Sequence, residues 1–215
     1  MNRVGAASVV ILSCVAIGRA AGAQEPPPRI GPFVVDLQGT VPAFGDDPLL
    51  AQSRGLSQAE LPGPGLGVSV GVHVYPARLG PVTFGVGGEA TVGRAHAVPV
   101  AADQSGLRRV TETFKSIAPV VSLNFGNGHG WSYLSIGVGR SIWSIAPDGA
   151  PATPADREVL STIDYGGGAR WFAKKHLAFS LGVRLYEIHA GALQADLPGG
   201  PRTVLLVVGA GVSLK

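Results

Sequence analysis

The sequence predicts an all-β protein, an eight-stranded antiparallel up-and-down barrel that closes on itself and spans a membrane. Three observations predict it. Aliphatic residues alternate with small or polar ones at a period of two, so each strand has two unlike faces. Turn-rich connections between these stretches are short and long in strict alternation. The non-aliphatic face is mainly Gly, Ser and Thr, not the Lys, Glu and Asp that a water-facing surface carries.

The 215-residue chain opens with MNRVGAASVVILSCVAIGRAAGAQ. Arg3 gives a positive start, Val4 to Ile17 an apolar run, and Ala21-Gly22-Ala23 a small-residue cleavage site, the parts of a secretory signal. Residues 1–23 are therefore expected to be a cleaved signal peptide, and 24–215 one barrel domain. A membrane anchor fits less well, because the run is short and Arg19 breaks it. Cys14 follows Ile11-Leu12-Ser13 as in a lipidation motif, but the apolar stretch continues past it to the better site. The mature chain then has no cysteine, hence neither disulfides nor thiolate chemistry. The chain's 17 basic residues lose Arg3 and Arg19, leaving 15 against 14 acidic ones and a net charge of +1. No basic patch points to nucleic acid.

The strands follow in order. Phe33, Val35 and Leu37 alternate with Val34, Asp36 and Gln38. In GLGVSVGVHVY, Leu66 to Val74 alternate with Gly67, Ser69, Gly71 and His73. Phe84, Val86, Ala90 and Val92 oppose Gly85, Gly87, Glu89 and Thr91. Ile117, Val121, Leu123 and Phe125 oppose Ser116, Ser122 and Asn124, and Leu134, Ile136, Val138 and Ile142 oppose Tyr133, Ser135, Gly137 and Ser141. Ile163, Tyr165 and Trp171 oppose Asp164, Gly166, Gly168 and Arg170. Leu181, Val183 and Leu185 oppose Gly182, Arg184 and Tyr186, and Val204, Leu206 and Val208 alternate into Gly209, Gly211 and Ser213. Each stretch is about ten residues, the length of a tilted membrane strand.

The connections YPARLGP, GNGHG and AKKH are short, whereas those starting at Gly45, Ala101, Ala146 and His189 are longer and polar. Antiparallel strands joined in this way collect short turns at one end and long loops at the other, the layout of periplasmic turns and extracellular loops. The long loops are expected to be the exposed ones, with protease sites at Arg54 and Arg108-Arg109, and Lys174-Lys175 spared in a short turn.

The Gly/Ser/Thr face suits the crowded lumen of a barrel of this size, which has room for side chains but none for a pore. Its charges come in both signs and need partners when buried. Asp36, His73, Glu89, Asp164, Arg170 and Arg184 are the expected lumen network, with Glu89 level with Arg184 and Asp36 level with Arg170. The aliphatic face then meets lipid. Tyr75, Phe125, Trp131, Trp171 and Phe172 near the short turns, with Trp143 and Tyr186 near the long loops, are read as interfacial girdles. Arg140 falls on the lipid-facing parity, where it snorkels or sits beside a bulge.

Taken together, the exported chain, the eight alternating stretches and the alternating turn lengths resemble the small outer-membrane barrels of the OmpA/OmpX type. The resemblance implies residence in the cell outer membrane and two partners, membrane lipid and the barrel-assembly machinery. Such barrels usually end in an aromatic residue, whereas this chain ends Val212-Ser213-Leu214-Lys215.

Candidate chemistry is sparse. GVGGEATVG and YGGGAR lack the following helix and the GK[ST] of a phosphate loop, and strand glycines explain them better. YEIHAG places Glu187 and His189 near the outer rim, where lipid A deacylases carry a His with a Ser two positions on, but Gly191 stands there. The histidines show no metal-ligand spacing, and no cofactor is expected. The expected role is structural or interactive and not enzymatic, with a plugged polar lumen and loops that face outward toward an extracellular ligand. The alternatives are an outer-membrane lipid-modifying enzyme, a narrow pore, and a soluble lipocalin-like carrier.

Overall fold

The computed structural model describes residues 29–45, 47–97, 108–192 and 199–215. The expected signal peptide, its cleavage site and Cys14 lie outside the described residues. Eight strands run in order: β1 (Phe33–Ala43), β2 (Leu66–Leu79), β3 (Val82–Ala97), β4 (Val110–Asn127), β5 (Gly130–Pro147), β6 (Leu160–Lys174), β7 (Leu177–Ile188) and β8 (Thr203–Leu214). Each pairs antiparallel with the next, and β8 pairs with β1 to close the barrel. Closure pairs each strand with a neighbour on both sides across the lipid band, as a structure in hydrocarbon requires.

The register holds the two faces apart around the whole wall. Leu37 lies beside Val70, Val70 beside Ala90, and Ala90 beside Ile117, so one aliphatic rung continues across four strands. The outward rungs are open: Val70 is 44% exposed, Ile117 66%, Leu134 60% and Val183 49%. A continuous exposed aliphatic band of this extent is untenable in water and natural in lipid. The barrel is a transmembrane one. Among the described residues no helix is long and apolar enough to cross a membrane; the strands cross instead.

Several features differ from the sequence expectation. The strands reach 11 to 18 residues, and β4 begins at Val110, inside the stretch expected to be loop. Above the lipid band the faces exchange polarity. Val110, Phe114, Ile145, Ile188, Leu205 and Val207 turn inward and are buried, while Thr111, Thr113 and Ser144 turn outward. Period two continues there, but an aliphatic residue no longer marks the outside. The short turns also shrink, to Gly80-Pro81, Gly128-His129 and Lys175-His176, with Gly80 at φ 58°. A register shift between Val74 and Ala77 accommodates Pro76, which has no N–H to give the ladder.

The aromatic girdle is largely a correction. Trp131, Trp143 and Tyr186 are buried inside, and Tyr75 and Phe172 pack against Ile30, Val34 and Trp131 at the short-turn end. Phe125 and Trp171 do face outward, at 41% and 52% exposure. Parity gives the reason. Tyr75 shares its face with His73, Trp131 with Tyr133, Trp143 with Ser141, Phe172 with Arg170, and Tyr186 with Arg184.

The glycines of YGGGAR make room for neighbours across the wall. A side chain on Gly168 would meet the Leu181 carbonyl and the Tyr133 hydroxyl, and one on Gly166 the Val183 carbonyl.

Candidate functional site

The lumen is the first place where charged groups converge. Near the short turns, Arg170 on β6 donates from Nε to Asp36 Oδ1 (2.9 Å) and from Nη2 to Oδ2 (2.5 Å). This bidentate fork is the strongest geometry open to a carboxylate and a guanidinium. The Ser213 hydroxyl donates to Asp36 Oδ1, and His73 Nε2 lies 3.5 Å from Oδ2. The Arg170 guanidinium also lies 4.2 Å from the Tyr133 ring centre and 5.7 Å from that of Trp131, so aromatic faces flank the cation.

At mid-height, one guanidinium serves two carboxylates. Arg184 on β7 reaches Glu89 Oε2 on β3 at 2.9 Å, donates from Nη1 to Asp164 on β6, and donates from Nη2 to the Ser135 hydroxyl at 2.9 Å. Glu89 Oε1 accepts from Ser69 (3.2 Å) and Tyr186 (3.3 Å), and the Thr91 and Tyr186 hydroxyls are 2.9 Å apart. All six polar residues singled out in the sequence thus lie inside, grouped in two layers. A cavity of about 30 Å³ lies beside Gln38, Thr40, Ser69, Glu89 and Arg184. That holds water molecules and no solute.

Above these layers the lumen is closed by an apolar plug that alternation did not foretell. The loop between β1 and β2 folds back through a short helix, α1 (Pro48–Gln52), and a 3-10 turn (Gln58–Glu60). Its Leu50, Ala51, Leu56 and Leu61 are buried with Phe44, Phe114, Trp143 and Ile145. Phe114 meets Trp143 and Tyr186 edge-on at 5.9 and 5.0 Å. The indole of Trp143 donates to Glu112 Oε1 at 2.6 Å.

Two ion pairs tie this loop to its neighbours. Arg54 Nε lies 3.2 Å from Asp156 Oδ1, in the loop between β5 and β6. Asp156 also accepts from Ile145 N (2.9 Å), and from Thr153 N (2.8 Å) and Oγ1 (2.6 Å) at the start of a 3-10 turn over Pro154–Arg157. Arg108, just before β4, donates to Glu60 Oε1 at 2.8 Å and to the Gly55 carbonyl at 2.8 Å. The Arg108 guanidinium beside Glu60, helped by the Ser57 N–H, holds the Glu60 carboxyl down at about 2. Arg54 is therefore not the open site expected of it: its side chain is only 3% exposed. The signal for this cap was in the sequence. Ser57-Gln58-Ala59-Glu60 is a capping box in which the Glu60 side chain accepts from Ser57 N, and Thr153 to Asp156 repeats it.

The YEIHAG residues do not assemble. Glu187 forms an ion pair with Arg202, and His189 Nδ1 donates to the Ser161 carbonyl at 3.1 Å. Among the described residues no three His, Cys, Asp or Glu side chains converge as metal ligands.

No family model and no curated protein matches the chain. Solved structures do. Neisserial surface protein A superimposes with a TM-score of 0.54 at 14% identity, over 86% of this chain and 97% of that one. The fold is that of the small eight-stranded membrane barrels. Other structures of such barrels match at lower scores. The attachment invasion locus protein Ail of Yersinia pestis, in complex with the heparin analogue sucrose octasulfate, gives 0.48 at 12% identity, covering 85% and 97%. The N-terminal barrel domain of Pseudomonas aeruginosa OprF gives 0.43 at 13%, covering 85% and 96%. At these identities the likeness to the small barrels is one of fold.

Proposed function

We propose that this chain is an outer-membrane barrel with a structural or interaction role, its lumen closed and its long loops turned to the outside. One observation carries the reading: two layers of ion pairs fill the lumen and an apolar plug covers them, leaving a cavity of about 30 Å³. Side chains spent on closing the interior leave the loops and the lipid-facing wall as the surfaces that meet partners. In this reading Asp36, His73, Glu89, Asp164, Arg170 and Arg184 form a structural network that fixes the lumen. The export signal expected at residues 1–23 and the aliphatic band support the outer membrane as its place. The barrel-assembly machinery inserts it. The capped loops are the surface it offers to an extracellular ligand.

The test is electrical and chemical. Reconstituted in planar bilayers, the protein should give no channel steps, and lipid A from cells expressing it should keep its mass. Steady conductance would favour the narrow pore, and a change in acylation the enzyme.

A further inference from the structure

On the outer wall, β3, β4 and β5 each carry one cation on the outward parity toward the long loops, on successive rungs, with Ile142 beyond Arg140 on β5. Arg94 follows Ala90 and Val92, Lys115 follows Val121 and Ile117, and Arg140 follows Ile136 and Val138. All three are exposed. Val92 lies beside Lys115 and Lys115 beside Ile142, while Ile117 lies beside Arg140. The cations are therefore diagonal neighbours on adjacent strands, about 7–8 Å apart and within reach of one ligand. No bulge turns Arg140 away, since its pairing with Ile117 and Ser161 is in register.

Two grooves run along this wall. One, of about 230 Å³, lies between Lys115 and Arg140 over Val92, Ile117, Ile142 and Val159. The second, of about 360 Å³, lies between Lys115 and the exposed Arg157 over Thr113 and Ser144. Asp156 also borders it, but its carboxylate is engaged by Arg54, Ile145 N and Thr153. Among the described residues none of Arg94, Lys115, Arg140 and Arg157 has an ion-pair partner. Elsewhere on the rim, by contrast, Arg202 is neutralised by Glu187. Like charges gathered beside hydrocarbon repel one another unless they share an anion. Their stems can lie along the apolar groove while the heads rise to headgroup level.

We propose that this wall is a binding site for a phosphorylated lipid of the outer leaflet. Lys115 and Arg140 hold its phosphate, Arg94 and Arg157 flank it, and an acyl chain follows Val92, Ile117 and Ile142. The inference rests on the membrane reading of the barrel, and the experiment separates the two. Protein purified in neutral detergent is incubated with bisphosphorylated lipid A or with its dephosphorylated form, and retention is read by native mass spectrometry.

The wild type should keep one phosphorylated lipid and release the dephosphorylated one. Lys115→Gln with Arg140→Gln should weaken retention roughly tenfold to thirtyfold, as expected for two charges at an anionic headgroup. Arg78→Gln, at a short turn, should leave it unchanged. Equal retention of both lipids, equal retention by the double variant, or displacement by inorganic phosphate alone would each overturn the site. Unboiled samples of the wild type and of all variants should run ahead of boiled ones by the same shift, because a closed barrel resists detergent. A wild type without that shift would overturn the barrel itself, independently of the lipid result.

Discussion

Arg170 and Asp36 meet across the lumen from strands that are not neighbours, 134 residues apart in sequence, with both carboxylate oxygens in the guanidinium fork. The pair ties β6 to β1, beside the seam where β8 closes the barrel and supplies Ser213 to the same carboxylate. Removing one partner strands a buried charge, which costs about 3–5 kcal/mol. Arg170→Met alone should therefore destabilise the barrel more than Arg170→Met with Asp36→Asn. Urea titration in lipid vesicles measures the difference, and equal losses would show the carboxylate content without its partner.

The mid-height layer should behave differently, because Arg184 serves both Glu89 and Asp164. Adding Glu89→Gln to Arg184→Met should restore part of the lost stability, and adding Asp164→Asn as well should restore more. A cycle in which Glu89→Gln alone gives full rescue would mean that Asp164 does not depend on Arg184.

Much of this arrangement could be read from alternation and from counting residues up from the hairpins. A period of two assigns each residue to a face, and similar counts put Glu89 level with Arg184. Counting does not say that Arg184 also takes Asp164, because that depends on where the guanidinium fork points. The rule also failed where the solvent outside changes. Above the lipid band Phe114 and Ile145 turn inward against the plug, so the start of β4 read as loop. Conversely, parity outweighs aromatic preference at Trp131 and Tyr186, which lie inside. The apolar plug was hidden because Leu50, Leu56 and Leu61 are scattered through a polar loop with no period to mark them.

On the lipid face, Val70 lies mid-ladder between Leu37 and Ala90. Val70→Lys should cost roughly 2–4 kcal/mol if near the midplane, with no partner in the wall to rescue it. The same unfolding titration reads it, and a neutral effect would contradict the lipid-facing assignment.

Protease access reports the cap. Trypsin on intact cells should cut near Arg108-Arg109 or Arg157 and spare both Lys174-Lys175 and Arg54. Asp156→Asn should open Arg54, whose side chain is held at 3% exposure by that pair. Cutting first at the lysine pair would mean an inverted topology.

The Glu60–Arg108 pair makes part of the cap acid-sensitive. Glu60 is lowered from 4.5 to about 2, so its contribution is fully present above the ordinary value and is lost as pH falls toward about 2. Since Arg108 is half exposed, the effect should be local and small. Hydrogen exchange over residues 55–61 should differ between wild type and Glu60→Gln above about pH 5 and converge near pH 2. A difference that persists in strong acid would show that the ionised carboxylate is not what holds the turn.

The central claim is that the aliphatic ladders face lipid all around a closed barrel, and labelled single cysteines test it most directly. Val70→Cys, Leu134→Cys and Val183→Cys, each carrying an environment-sensitive fluorophore, sit on β2, β5 and β7. In vesicles all three should be quenched by nitroxide lipids and ignored by aqueous iodide. Quenching by iodide with indifference to the lipid quencher at these positions would contradict the account.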